Sequence, residues 1–333
     1  MRQPEVVRLA GLLLALVLFV PVAHAGRRTL WAGAFLVEFL SQGRLAPLSA
    51  LTLEPTREPL AVAGAAVDRY VPAGLPGSAP LVLVHGFAPE GKDDARVREA
   101  ATLLARCGFD VAVPTIPGLT RGRLGSNDVA PVVATLAALA SPSVVLGVSV
   151  GAGPALLAAA DPRVRERVRA VVSLGGYASA REVLRFWLTG AYEYGGVRGR
   201  VAHDPELVRS FVAANADRLE PAARAELMTA DADRAARFLA ALPPGLERYL
   251  DELSPLRVVG EIRARLILIH GQSDRAVPYT ESLRLAAARP ERTALVLVGL
   301  VEHVEGDGGG GAGWQAARDV LALWRVVYAL ISA

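Results

Sequence analysis

Val144-Val145-Leu146-Gly147-Val148-Ser149-Val150-Gly151-Ala152-Gly153-Pro154-Ala155 is the stretch on which the fold turns. Its first half, Val144 to Val148, is short and wholly apolar, as expected of a strand buried on both faces of a parallel sheet. An alanine-rich helix over Val150 to Ala160 is predicted to follow, with Pro154 near its first turn, where a missing amide hydrogen costs least. Between the two, Gly147-Val148-Ser149-Val150-Gly151 fits G-x-S-x-G at a strand-to-helix turn. Such a turn is sharp and strained, and side chains two positions either side of the serine would clash. The Ser149 oxygen is then raised above the sheet beside the positive end of the helix. Ser173, in Val171-Val172-Ser173-Leu174-Gly175, also follows a strand, but a valine occupies the position two before it. Ser173 is therefore read as structural.

Outward from this turn, strands and helices alternate. Strands are expected at Val67–Val71, Leu81–Val84, Phe109–Val113, Ala170–Leu174, Leu266–Ile269 and Leu295–Val298. Helices are expected at Ala95–Arg106, where Asp93 or Asp94 can cap the start and Gly108 stops the end, at Asp128–Leu139, Glu281–Ala288 and Trp314–Ile331. This order predicts an α/β fold with a doubly wound, mostly parallel sheet. The alternation stops between about Ser179 and Glu261, an arginine-rich helical stretch that reads as an inserted helical cap. The organisation expected is a targeting segment over 1–25, an N-terminal extension over 26–66, a core in two parts (67–178 and 262–333) and the cap over 179–261. Residues 41–80 otherwise look like connecting chain, and Gly308–Gly313 like a flexible insertion rather than a phosphate-binding loop.

A serine hydroxyl is a weak nucleophile near neutral pH and needs a base, itself held by an acid. Five histidines are available. His24 lies in the targeting segment, His203 in the cap, and His85 and His270 precede glycines at strand ends, where they would brace loops. In the chain order serine, acid, histidine, only His303 lies after the last strand. Asp274 is the only carboxylate in Gly271-Gln272-Ser273-Asp274, directly after the penultimate strand, and is the expected acid in preference to Glu302, Glu305 and Asp307. Backbone amides of Val150, next to the nucleophile, and of Phe87, in His85-Gly86-Phe87, are the expected donors to an oxyanion.

His85-Gly86-Phe87, the Ser149 turn, His270-Gly271-Gln272-Ser273-Asp274-Arg275-Ala276-Val277-Pro278 and the late His303 together resemble the α/β-hydrolase superfamily. The segment after Ile269 is similar to the H-G-x-x-D-x-x-V-P stretch of its dienelactone-hydrolase, acyl-esterase and prolyl-oligopeptidase-like members. The resemblance covers Val67 to the C-terminus apart from the cap. It implies hydrolysis of an ester, thioester or amide through an acyl-enzyme, without metal or organic cofactor, on a small-molecule or lipid-like acyl substrate. An acyltransferase or peptidase on the same residues, and a non-catalytic envelope binding protein, are the competing readings. Aspartate-nucleophile relatives that act on haloalkanes or epoxides do not fit, because position 149 is serine. The cap aromatics Phe186, Trp187, Tyr192, Tyr194, Phe211, Phe238 and Tyr249 are expected mostly to form the cap's own core, with one or two lining an acyl pocket.

Composition narrows the remainder. Of 333 residues, 52% are hydrophobic, too many for a disordered chain. The net charge is +3, and Lys92 is the only lysine among 36 basic residues. These are dispersed rather than clustered, which argues against nucleic acid as a partner. Cys107 is the single cysteine, so no internal disulfide exists, and its place before Gly108 reads as a structural thiol at a helix end. Arg2 and Arg8 precede an apolar run, Leu9 to Val22, followed by Ala23-His24-Ala25. This is expected to be a signal peptide cleaved before Gly26, or an uncleaved anchor through residues 9–26, in either case directing export to the periplasm or outside. Leu30 to Leu40 is expected to be an amphipathic helix on the domain or a membrane surface.

Overall fold

The computed structural model describes residues 26–74, 79–139, 142–229, 231–299 and 312–332. The chain opens with helix α1 (26–40) and the short α2 (Pro47–Leu51). The elements of the first half then follow: β1 (Thr56–Val62), β2 (Ala65–Val71), β3 (Ala79–Val84), α3 (Ala95–Arg106), β4 (Phe109–Pro114), α4 (Val129–Ala138), β5 (Ser143–Val148), α5 (Ala152–Ala160) and β6 (Val168–Leu174). After an insertion the core resumes with β9 (Arg265–Gly271), α11 (Thr280–Ala288), β10 (Thr293–Val298) and α12 (Ala312–Ser332). Eight strands form one sheet in the order β1-β2-β4-β3-β5-β6-β9-β10. The pairs from β4 to β10 are parallel, while β1 and β2 run antiparallel at one end.

The period-2 geometry of a strand explains why the central runs are apolar throughout. Val82, Val84, Val145, Val171 and Leu268 point to one face and pack with α4 and α5 through Val132, Leu136, Ala155 and Leu156. Leu81, Leu83, Val144, Val172 and Ile267 point to the other, against α1 and α3 and against Leu323 of α12. Both faces are covered, so no polar alternation survives. Leu156 is fully buried; truncation of such a residue to alanine typically costs about 2–5 kcal/mol. Asp94 caps α3 by accepting the Arg96 amide at 2.9 Å. Cys107 is buried at the end of that helix, and burial pushes its thiol up.

Two segments depart from expectation. The supposed connecting chain supplies α2 and β1. Pro59 and the half-exposed pattern of β1 conceal a strand that occupies the sheet edge, where proline's missing donor is tolerated. The insertion is not purely helical. It contains α6 (Ala180–Thr189), a hairpin of β7 (Ala191–Tyr194) and β8 (Val197–Arg200), α7 (Pro205–Ala214), α8 (Pro221–Leu227), α9 (Ala232–Ala240) and α10 (Pro244–Glu252). The hairpin turns on Gly195-Gly196, both at positive φ, which suits a two-residue turn. Among the described residues, no helix is long and apolar enough to cross a membrane.

Candidate active site

Parallel strands β3, β5, β6 and β9 lie side by side, so the loops after their carboxyl ends converge. Ser149 follows β5 in the left-handed region, at φ +51. Gln42 is the only other non-glycine residue at positive φ among the described residues. The flanking glycines are required for different contacts. A Cβ on Gly147 would stand 2.5 Å from Ala152 Cα, at the start of α5, while one on Gly151 would run into the His85 carbonyl at the end of β3. The turn is thus wedged between its own helix and the neighbouring strand. Gly86 faces it closely: a Cβ there would lie 3.3 Å from Ser149 Cβ. The structure therefore brings Ser149, Val150 and the Gly86-Phe87 loop together. Val150 is buried, and the Phe87 side chain is partly open to solvent. Ser173 sits inside β6, fully buried and with ordinary negative φ.

Asp274 follows β9. Its Oδ1 accepts the amides of Ala276 at 2.7 Å and Val277 at 3.0 Å, which fixes the turn. Oδ2 leans towards the end of β6, 3.1 Å from where a Cβ on Gly175 would be. His303 lies outside the described residues.

The three described histidines are all engaged elsewhere. His85 Nε2 accepts the Ile116 amide at 3.0 Å, so Nδ1 carries the proton and donates to the Gly86 carbonyl at 2.7 Å. Burial holds its pKa below the usual value. The neutral ring braces the very loop that faces Ser149. His270 is completely buried; its Nε2 donates to the Val277 carbonyl at 2.9 Å and its Nδ1 accepts from Ser282 Oγ at 2.7 Å. Burial lowers its pKa despite Asp274 Oδ2 at 3.6 Å. His203 bonds to the Phe186 carbonyl at 3.0 Å within the cap. Among the described residues, no cluster of three metal-ligating side chains occurs.

One contact was not legible in the sequence. Trp187 of α6 donates its indole Nε1–H to the Ala276 carbonyl at 2.7 Å, in the turn that Asp274 fixes. Its ring also meets Phe87, with 5.8 Å between centroids. The cap aromatics pointed only to a pocket somewhere, because the pairing spans about ninety residues of sequence.

Residues 79–304 match the family described as α/β-hydrolase fold, and the chain belongs to that family. No curated protein matches it in sequence. Similar solved structures match it at low identity. Acylaminoacyl peptidase from Pyrococcus horikoshii superposes with a TM-score of 0.54 at 14% identity, over 84% of this chain and 41% of the peptidase. A 2,6-dihydroxy-pseudo-oxynicotine hydrolase gives 0.49 at 19%, over 89% and 77%. A meta-cleavage product hydrolase from Pseudomonas fluorescens IP01 gives 0.46 at 18%, over 80% and 96%.

Proposed function

We propose that this chain is a serine hydrolase that cleaves a carboxylic ester, or a related acyl bond, through an acyl-enzyme on Ser149. The carrying observation is the Ser149 backbone: a non-glycine residue held at positive φ between strand and helix, directly facing the Gly86-Phe87 loop. Strain of this kind persists where surrounding structure enforces it. In this reading Ser149 Oγ attacks the acyl carbon and His303 takes its proton. Asp274 accepts the other ring N–H and holds the imidazole in orientation. The carbonyl oxygen gains negative charge that the Val150 and Phe87 amides stabilise. His303 then returns the proton to the leaving alkoxide, and water repeats the sequence to release the acid. The choice of His303 is supported by the engagement of His85, His203 and His270 in other bonds.

A burst experiment tests this. With p-nitrophenyl acetate, about one equivalent of p-nitrophenolate per chain should be released before the steady state. Ser149→Ala and His303→Ala should each abolish the burst and lower kcat by about 10⁴ or more. An undiminished burst in Ser149→Ala would exclude the reading.

Export is proposed with it, because residues 1–25 combine Arg2 and Arg8, an apolar run and Ala23-His24-Ala25 ahead of the folded domain. Mass spectrometry of protein from the cell envelope or medium should find Gly26 at the N-terminus. Intact Met1 on membrane-bound protein would indicate the anchor instead, and intact protein confined to the cytoplasm would contradict export.

A further inference from the structure

Trp187 stands between Phe87 and a cavity within the cap. On one side its ring meets Phe87, the residue after the glycine that faces Ser149. On the other it packs edge-on against Phe211 at 4.7 Å, and both rings line the cavity with Leu184, Leu188, Leu246 and Leu250. The hydrogen bond to Ala276 ties the indole to the Asp274 turn, which fixes the ring in this position.

The cavity holds about 60 Å³. That is well below the roughly 150 Å³ of an apolar cavity that takes up a benzene ring. Its polar neighbours each have a partner elsewhere. Tyr249 donates to the Leu124 carbonyl at 2.9 Å and Asn215 to the Phe211 carbonyl at 2.9 Å, while Arg218 lies over the Tyr249 ring at 4.4 Å. The rest of the lining is apolar, so the space suits hydrocarbon.

We propose that Trp187 is the wall that limits acyl-chain length. Substrates are then esters of short, unbranched, apolar acyl groups, whose chains stop at the indole. The cap cavity behind it is acyl space that the indole closes off. This rests on Ser149 as the nucleophile. Removing the ring joins the cavity to the site, and longer chains then gain apolar contact. Each added methylene in an apolar pocket is worth about tenfold or more in discrimination.

The test is a series of p-nitrophenyl esters from acetyl to decanoyl, with kcat and KM measured separately for the full chain and its variants. The parent should favour acetyl and butyryl esters. Trp187→Ala should raise the octanoyl-to-butyryl ratio of kcat/KM at least tenfold, chiefly through a lower KM for the longer ester. Trp187→Phe, which keeps a ring but loses the N–H donor, should retain the short-chain preference. A shift as large as that of Trp187→Ala would assign the effect to the hydrogen bond and overturn the wall. An unchanged ratio in Trp187→Ala would also overturn it. If thermal melting shows that Trp187→Ala does not fold, Trp187→Leu, which also removes the ring but keeps more of the packing, should shift the ratio in the same direction; no shift there counts equally against the proposal. Fluorophosphonate labelling of Ser149 is read in parallel. Labelled variants with unaltered chain preference defeat only the wall, whereas an unlabelled parent defeats the nucleophile.

Discussion

At Ser149 the backbone adopts φ +51, where a residue with a Cβ is disfavoured relative to glycine by on the order of 1 kcal/mol. Ser149→Gly should therefore unfold at higher urea concentration than Ser149→Ala, by about 1 kcal/mol in free energy, with both inactive. Equal midpoints would show that the turn stores no strain. The glycines beside it were readable as a pair from the sequence, but not what each one avoids. Gly151 yields to a carbonyl of β3, a strand more than sixty residues earlier, and that proximity follows only from strand order. The same applies to His85, whose partner Ile116 comes from the loop after β4. Position in the chain was enough to set such histidines aside as braces, whereas the bonds that make them so are long-range.

At the scale of elements, α11 anchors the start of the cap. Glu281 Oε2 accepts the Ala178 and Ser179 amides at 3.1 and 2.8 Å, and its other oxygen accepts from Arg284 at 3.0 Å. The carboxyl is 1% exposed, and burial raises its pKa from 4.5 to about 6. Because the folded value is the higher one, its contribution is fully present below pH 4.5 and is lost as pH rises through about 6. A shift of this size corresponds to about 2 kcal/mol. Glu281→Gln should therefore lose its pH dependence and gain about 2 kcal/mol on the parent between pH 4.5 and about pH 7, in urea titrations. Parallel profiles would contradict this. Elements differed in how far the sequence revealed them. The central strands were visible because burial on both faces makes them apolar runs, and α3 because Asp94 and Gly108 punctuate it. β1 was hidden by Pro59 and its partial exposure. The β7–β8 hairpin was hidden because four-residue strands among arginines carry too little pattern.

Over the whole molecule, one mostly parallel sheet brings loops from four neighbouring strands to a single edge, and the insertion after β6 covers that edge with its own apolar cluster of Leu188, Val208, Val212 and Leu239. The two ends of the cap are tied together, with the Ala180 amide on Ser254 Oγ at 2.9 Å and the Tyr177 hydroxyl on the Leu253 carbonyl at 3.1 Å. Core and cap thus meet at the edge where Ser149 and Asp274 emerge, and Trp187 spans the junction. The account depends above all on Ser149 being the reactive nucleophile. A fluorophosphonate reagent, followed by digestion and peptide mass spectrometry, tests that most directly. The expected result is one covalent adduct per chain, located on the peptide containing Ser149 and absent from Ser149→Ala; an adduct on another residue, or labelling that persists in Ser149→Ala, would contradict it.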